Sequence, residues 1–559
     1  MKGSLKRALG MLLAAVLCLS LASCGMGGYT PGSSGNNGSA KPADRIEQLV
    51  IGTVLKAENV SILSGSGSVG ALNRNCITDP ALFVRDRDGR VKGFFFQDYA
   101  VTADGKELRL VFPLDRKWHD GEPVTMDDVI FTFEWLRDVK KAESLKTLTS
   151  IRKESGNQIT LVFSGVDVYG FLRSDEASCP ILPKHIWENV GSSYETFRGE
   201  GFNVGCGPYR LTGIDAASGD AVFEVFPGNG YLGDVKAEKI ILRSYEDDTA
   251  LLKALAEGEA DFILYEGLLS GGQADIIKDK DGIDPGRTES GSFFYAVFGK
   301  EGPCGELKDL RRAVVLSLDW EQIRKLIGGD LGAIPGGGAV PPSASGYDES
   351  IAKFAQNRTE AAKLLDGLGI ADTDEDGMRD MPDGTPLILR IVSDDIPGMQ
   401  ELADSLGQRM AEDLRKSGIN AVYRKAEAPA QEQPEGQTPE GEQPAGQDPS
   451  EEQPAPAVWD IKIGRADAPA GSWDWSSVIQ SDALVSAYDA LRRASGESRY
   501  LEEMKFLQKL MSEELLGFAL CWEEGFLPYR TDAYKGFSFF PGVGALNYET
   551  LYKLKEIKK

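Results

Sequence analysis

The chain carries two histidines among its 559 residues, and none of its seven cysteines forms a C-x-x-C pair. A His-rich metal site therefore has no ligands, and a His-Cys-acid zinc site on His119 or His185 has little to draw on. G-x-S-x-G, H-E-x-x-H and Walker A motifs are missing, which removes the usual sequence signs of acyl transfer, zinc hydrolysis and phosphate cradling. The stretch 65–70, GSGSVG, matches G-x-G-x-x-G in form only. It runs through ALNRN into Cys76 and Pro80 instead of opening a long helix, so the dinucleotide reading fails. Positive charge is scarce as well: 61 Lys and Arg stand against 86 Asp and Glu, a net charge of -25. Such a chain repels nucleic acid and anionic surfaces, which makes both poor partners. The apolar run Ala8–Leu21, 14 residues, falls short of a membrane-spanning helix, which needs roughly 20.

That run has another use. Lys2, Lys6 and Arg7 precede it, giving the shape of a signal peptide over residues 1–23. Leu21-Ala22-Ser23-Cys24 resembles the lipobox of bacterial lipoproteins, which implies that Cys24 becomes the lipidated first residue of an extracytoplasmic, membrane-anchored protein. One acyl chain anchors only marginally, and the diacylglyceryl cysteine that the resemblance implies supplies more than one. Residues 24–45 are dense in Gly, Ser, Asn and Pro. They predict a flexible tether with an r.m.s. span of roughly 25 Å.

A mature chain of about 535 residues should divide into two or three domains. Cys76, Cys179, Cys206, Cys304 and Cys521 are odd in number, so spacing yields no disulfide framework. Residues 427–457 are almost all Glu, Gln, Pro, Gly and Ala. They lack the apolar side chains that offset ordering entropy and read as a disordered insertion between two strands, NAVYRKA and VWDIKIG. Elsewhere strand and helix patterns alternate. Leu251, Leu252, Leu255 and Ala256 form a helical stripe with Asp247 or Asp248 as cap and Gly258 as stop, followed by the strand Asp261-Phe-Ile-Leu. A second unit runs from PLILRIV at 386–392 through a helix around 399–417 to NAVYRKA. This alternation predicts α/β domains with mainly parallel sheets.

In FPLDRKWHDGEPVTMDDVIFTFEWLRD, residues 112–138, Asp120-Gly121 is turn chemistry and Thr125 with Asp128 makes a capping box. His119 reads as part of a packed turn, without a catalytic role. The W-H-D-G-x-P-x-T-x-x-D-V pattern from Trp118 to Val129 resembles the signature of the family 5 extracellular solute-binding proteins, peptide and nickel receptors of ABC importers. ITDPALFVRDRDGRVKGFFFQDYAVTADGKELRLVF (77–112), ILPKHIWE (181–188), VGCGPYRL (204–211), LKDLRRAVVLSLDWEQI (307–323) and QNRTEAAKLLDGLGI (356–370) resemble further family landmarks in the family's order. The likeness spans about residue 48 to the C-terminus.

The resemblance implies an α/β, two-lobed periplasmic-binding-protein-like fold of the class with an extra inserted domain, its mixed and largely parallel sheets joined by a hinge. Lobe one takes 46–84, 205–290 and 520–559, the extra domain 85–204, and lobe two 291–519. The implied function is capture of a small solute, foremost a peptide, by a monomeric receptor and its delivery to the transmembrane subunits of an ABC permease. A scaffold or sensory lipoprotein of the envelope and an unrecognised secreted hydrolase are the alternatives. No cofactor is expected for function.

Two departures bear on the ligand. SFFYAVFGK places Gly299 where the family often has an asparagine. Peptide-binding members use a W-x-x-D-x-x-x-P-like segment whose aspartate meets the peptide amine. In GRADAPAGSWDW, Asp467 takes the aspartate position but Gly464 stands for the tryptophan, and Trp473, Asp474 and Trp475 follow. Asp467 reads equally as a ligand group or as the cap of a turn. Separately, Asp372 to Asp383 (DTDEDGMRDMPD) sets Asp372, Asp374, Asp376, Asp380 and Asp383 at loop positions one, three, five, nine and twelve, with the Met378 carbonyl at seven. That is calcium-loop spacing. The same residues also suit a solvated acidic turn.

Overall fold

The computed structural model describes residues 45–54, 77–87, 89–197, 199–215, 217–265, 268–277, 279–329, 331–425, 459–467, 473–541 and 543–557. The signal peptide, Cys24, the tether, GSGSVG, Cys76 and the insertion at 427–457 lie outside the described residues.

The first buried run, LVIGT, forms the strand Leu49–Thr53, every residue of which is buried. It sits inside a seven-stranded sheet in the order 283–284, 529–530, 262–263, 49–53, 239–244, 221–225, 209–214. The helix Asp248–Glu257 starts on Asp247, whose side chain accepts from the Ala250 amide, and stops at Gly258 with φ +83°, a conformation that favours glycine. It carries the chain from strand 239–244 to strand 262–263, and both lie parallel to 49–53 on either side of it.

The second sheet has the order 420–424, 388–393, 461–467, 287–298, 517–526. The helix Gln400–Arg415 links two parallel neighbours, Ile388–Ser393 and Asn420–Arg424. In Arg287–Phe298 the apolar run is continuous because both faces are covered: Phe294 and Ala296 enter one core, Phe293, Tyr295 and Val297 the other. A third, antiparallel sheet of 98–101, 107–111, 158–163 and 148–153 packs with the helix Met126–Asp138 around Trp118, Phe133 and Trp187.

The sheets are mixed, and parallel pairing is narrower than strand–helix alternation suggests. It holds where helices carry the crossovers and for 461–467 beside 388–393. The strands joined by short connections pair antiparallel, as such connections require, and the long strand 287–298 is antiparallel to both its neighbours.

Two segments pass between the lobes. Arg287–Phe298 and Gly517–Phe526 pair antiparallel from Val297 opposite Gly517 to Arg287 opposite Phe526, with register breaks between Glu289 and Phe293 and between Phe294 and Tyr295. Their continuations, Ile283–Asp284 and Tyr529–Arg530, pair again inside the seven-stranded sheet. The boundaries expected at 290/291 and 519/520 fall inside these continuous strands. Bulges of this kind bend a ribbon and raise its twist, and here they mark the hinge.

Candidate ligand-binding cleft

Beside the register break, Glu289, Gly291, Ser292, Phe293, Ala339, Pro341, Trp473, Trp522 and Glu523 line a narrow recess. Gly291, at φ +77°, supplies the backbone turn that aims Phe293 inward. The Phe293 and Trp522 ring centroids are 4.8 Å apart, and Trp473 stands edge-on to Phe293 at 6.1 Å. Trp475 lies 5.8 Å from both Phe293 and Tyr295. Its indole N–H donates to the Ala339 carbonyl at 2.8 Å, and its side chain is fully buried. The Trp473 indole N–H is buried with no acceptor among the described residues.

Gly464 has a steric reason. It lies directly across from Tyr295, and a Cβ at that position would overlap the tyrosine ring. Tyr295 thus covers the ground that a tryptophan on the strand 461–467 would take, and its ring faces Trp473 at 5.9 Å with a 34° tilt. The aromatic surface is kept, from the neighbouring strand.

Charge enters through Glu289. Its carboxylate accepts from the amide of Ser343 at 3.3 Å and from the Ser343 hydroxyl, and burial pushes its pKa up. On the flanking strand Glu523 faces Arg465 at 3.4 Å, and Glu524 pairs with Arg287. Away from the recess, Arg173 donates to the carbonyls of Ala494 at 3.2 Å and Gly496 at 3.4 Å. Its guanidinium also stacks on Tyr500 at 4.1 Å.

The residues singled out in the sequence separate here. Trp473 borders the recess; Trp475 stands behind it as core. Asp474 is turned elsewhere: its carboxylate caps the turn Trp475–Ser477 through the Ser476 amide and pairs with Arg492 at 2.7 Å. The Asp467 backbone closes its strand opposite Ser292. Glu289, Phe293, Tyr295, Trp522 and Glu523 escaped the sequence reading, although the aromatic runs SFFY and CWEE held the signal. His119 is packed as the turn chemistry implies: it is buried, Nε2 donates to the Gly207 carbonyl at 3.1 Å, and Nδ1 accepts from the Gly205 amide at 3.3 Å. Burial lowers its pKa to about 4, so it is neutral.

The acidic turn is only partly assembled. Carboxylate oxygens of Asp372, Asp374 and Asp376 lie within 4.8 Å of one another, exposed. They accept backbone amides of Gly377, Asp376 and Met378 respectively. Asp380 does not join them: it is buried and binds the amide and hydroxyl of Thr373. Asp383 closes its own turn on Thr385. Of the five expected carboxylates three thus converge, and Asp380 and Asp383 serve local hydrogen bonds instead.

Residues 91–451 match the sequence profile of the bacterial extracellular solute-binding proteins, family 5 Middle. The chain belongs to this family. Its members bind solutes. Among curated relatives, a candidate peptide-binding protein of a Brucella ovis ABC transporter is 23% identical over 308 residues, 52% of this chain and 54% of that protein. The chain thus spans about half the length of that relative. The oligopeptide-binding protein OppA of Bacillus subtilis is 25% identical over 394 residues, 66% of this chain and 69% of its own. Among solved structures, AppA of Bacillus subtilis, in complex with a nonapeptide, superposes with a TM-score of 0.58 at 17% identity, covering 93% of this chain and 100% of that one. The two-lobed fold is the family's.

Proposed function

We propose that this family 5 protein is an extracytoplasmic receptor, anchored through Cys24, that encloses a peptide beside its hinge and delivers it to the transmembrane subunits of an ABC importer. The supporting observation is Glu289, a carboxylate partly withdrawn from water whose donors among the described residues are the neutral amide and hydroxyl of Ser343, set among Phe293, Trp473 and Trp522. Such a recess favours a ligand with a cationic amine and apolar side chains, and a peptide is both. The curated relatives named for peptide binding point the same way.

A thermal-shift screen of the protein against peptides, oligosaccharides and metal chelates tests this. Peptides of about two to eight residues at 100 times their dissociation constant should stabilise it by about 2.7 kcal/mol. Glu289→Gln should remove most of that gain. A shift with oligosaccharide and none with peptide defeats the peptide assignment, and an undiminished shift in Glu289→Gln moves the amine partner to Asp467. A fatty-acid probe tests the anchor: label should appear on the wild-type chain and be absent from Cys24→Ala.

We further propose a structural calcium on Asp372, Asp374 and Asp376, remote from transport. Calcium at ten times its dissociation constant should add about 1.4 kcal/mol of stability, lost in Asp376→Asn. Identical melting with and without calcium removes the ion.

A further inference from the structure

On lobe one, Lys236, Lys535, Lys553 and Lys555 line an open groove with Gly536 and Tyr552. Among the described residues no carboxylate lines it, in a chain whose net charge is -25. Lys535 and Lys555 stand directly opposite each other in a two-stranded antiparallel ladder. Like charges in that position destabilise the pair, so the arrangement favours an anion between them. Lys553 is ion-paired to Glu549, whereas Lys236, Lys535 and Lys555 have no ion pair among the described residues.

The position of the groove identifies the anion. The Ile46 amide donates to the Lys236 carbonyl at 3.0 Å, the Lys236 amide donates to Leu551 at 3.0 Å, and Ile46 bridges Ala237 in parallel. The described body of the chain therefore begins at the edge of the lysine groove, and Cys24 precedes that point in sequence by about 20 residues.

We propose that this groove docks the body on an anionic lipid surface, with lysine ammonium groups set among phosphate headgroups. The inference rests on the anchor reading, since anchoring brings this face to the bilayer. The acidic remainder of the molecule does not cancel the attraction, because charges more than about 8 Å away are screened at physiological salt. Docking would fix which way the body faces.

The test uses the full chain carrying Cys24→Ser, which cannot be lipidated, and the groove's share of binding is read from the difference between the groove variant and the control variant, since both keep the same N-terminal segment. Cosedimentation compares vesicles of phosphatidylcholine with vesicles holding about one third phosphatidylglycerol, at physiological salt. Each lysine near such a surface is worth about fivefold in affinity. The anionic vesicles should retain the chain, and the combined variant Lys236→Gln, Lys535→Gln, Lys553→Gln, Lys555→Gln should bind at least tenfold more weakly. A control with Lys106→Gln, Lys363→Gln, Lys505→Gln and Lys509→Gln removes the same charge from exposed sites elsewhere and should bind within about twofold of the parent. Indifference of the parent to phosphatidylglycerol, or equal losses in the two variants, overturns the proposal. Absence of fatty-acid label on the wild-type chain overturns the anchor instead and leaves the vesicle result intact.

Discussion

Asp79 is sealed in the interior with one carboxylate oxygen hydrogen-bonded to Thr78 at 2.8 Å and the other without a partner among the described residues. Burial raises its pKa from 3.8 to about 7. The fold thus prefers the protonated form, and that preference contributes fully below the unfolded value and fades as pH climbs towards the folded one. Asparagine mimics the neutral carboxyl. Asp79→Asn should therefore gain melting temperature on wild type between about pH 5 and pH 8; a gap independent of pH would refute the assignment. His119 works in the opposite sense, since its lowered pKa removes stability as pH falls below 6.5. Neither effect is legible in the sequence, because burial of a single side chain depends on what packs over it. Gly464 teaches the same lesson. In the sequence it looks like a lost tryptophan, and only strand register shows that Tyr295 lies over it.

Single elements were more legible. The capping box at the start of helix Met126–Asp138 is present as spelled, with Thr125 and Asp128 bonding reciprocally. The spacing of two residues on one chain segment carries that information. It could not reveal that Asp128 Oδ1 also accepts the amide of Lys184 at 2.8 Å. One buried carboxylate so joins the W-H-D-G and P-K-H landmarks, which lie more than fifty residues apart in sequence. Thr125→Ala should cost about 1 kcal/mol. Asp128→Ala leaves amides at two places unpaired and should cost about 2–4 kcal/mol. Chemical denaturation measures both, and equal losses would show that the second bond contributes nothing.

For the whole molecule, α/β alternation anticipated the class of the domains, and the family resemblance carried by the landmarks implied two lobes and a hinge. Cleft chemistry was not, because Glu289, Trp473 and Trp522 meet across three separate strands or loops. Arg173 belongs to this scale, since it ties the inserted domain to lobe two through carbonyls and the Tyr500 ring. It touches none of the recess-lining groups, so its influence on binding must act through closure. Arg173→Ala should weaken affinity for the proposed peptide ligand about 5–30-fold, in proportion to one lost cation–π contact and its hydrogen bonds. Small-angle scattering should find the unliganded variant more open than wild type. Unchanged affinity would mean that the contact does not hold the closed form.

The lobes are joined by two hydrogen-bonded strands lying side by side, and that pairing has a mechanical meaning. A lone strand would act as a swivel, letting one lobe turn freely on the other. A ribbon two strands wide behaves as a leaf spring: soft to bending across its thin dimension, stiff to shear and to rotation in its own plane. The lobes can then approach and separate along essentially one path. A solute must leave through the mouth by which it entered, and whatever unloads the receptor has only to push back along that single direction.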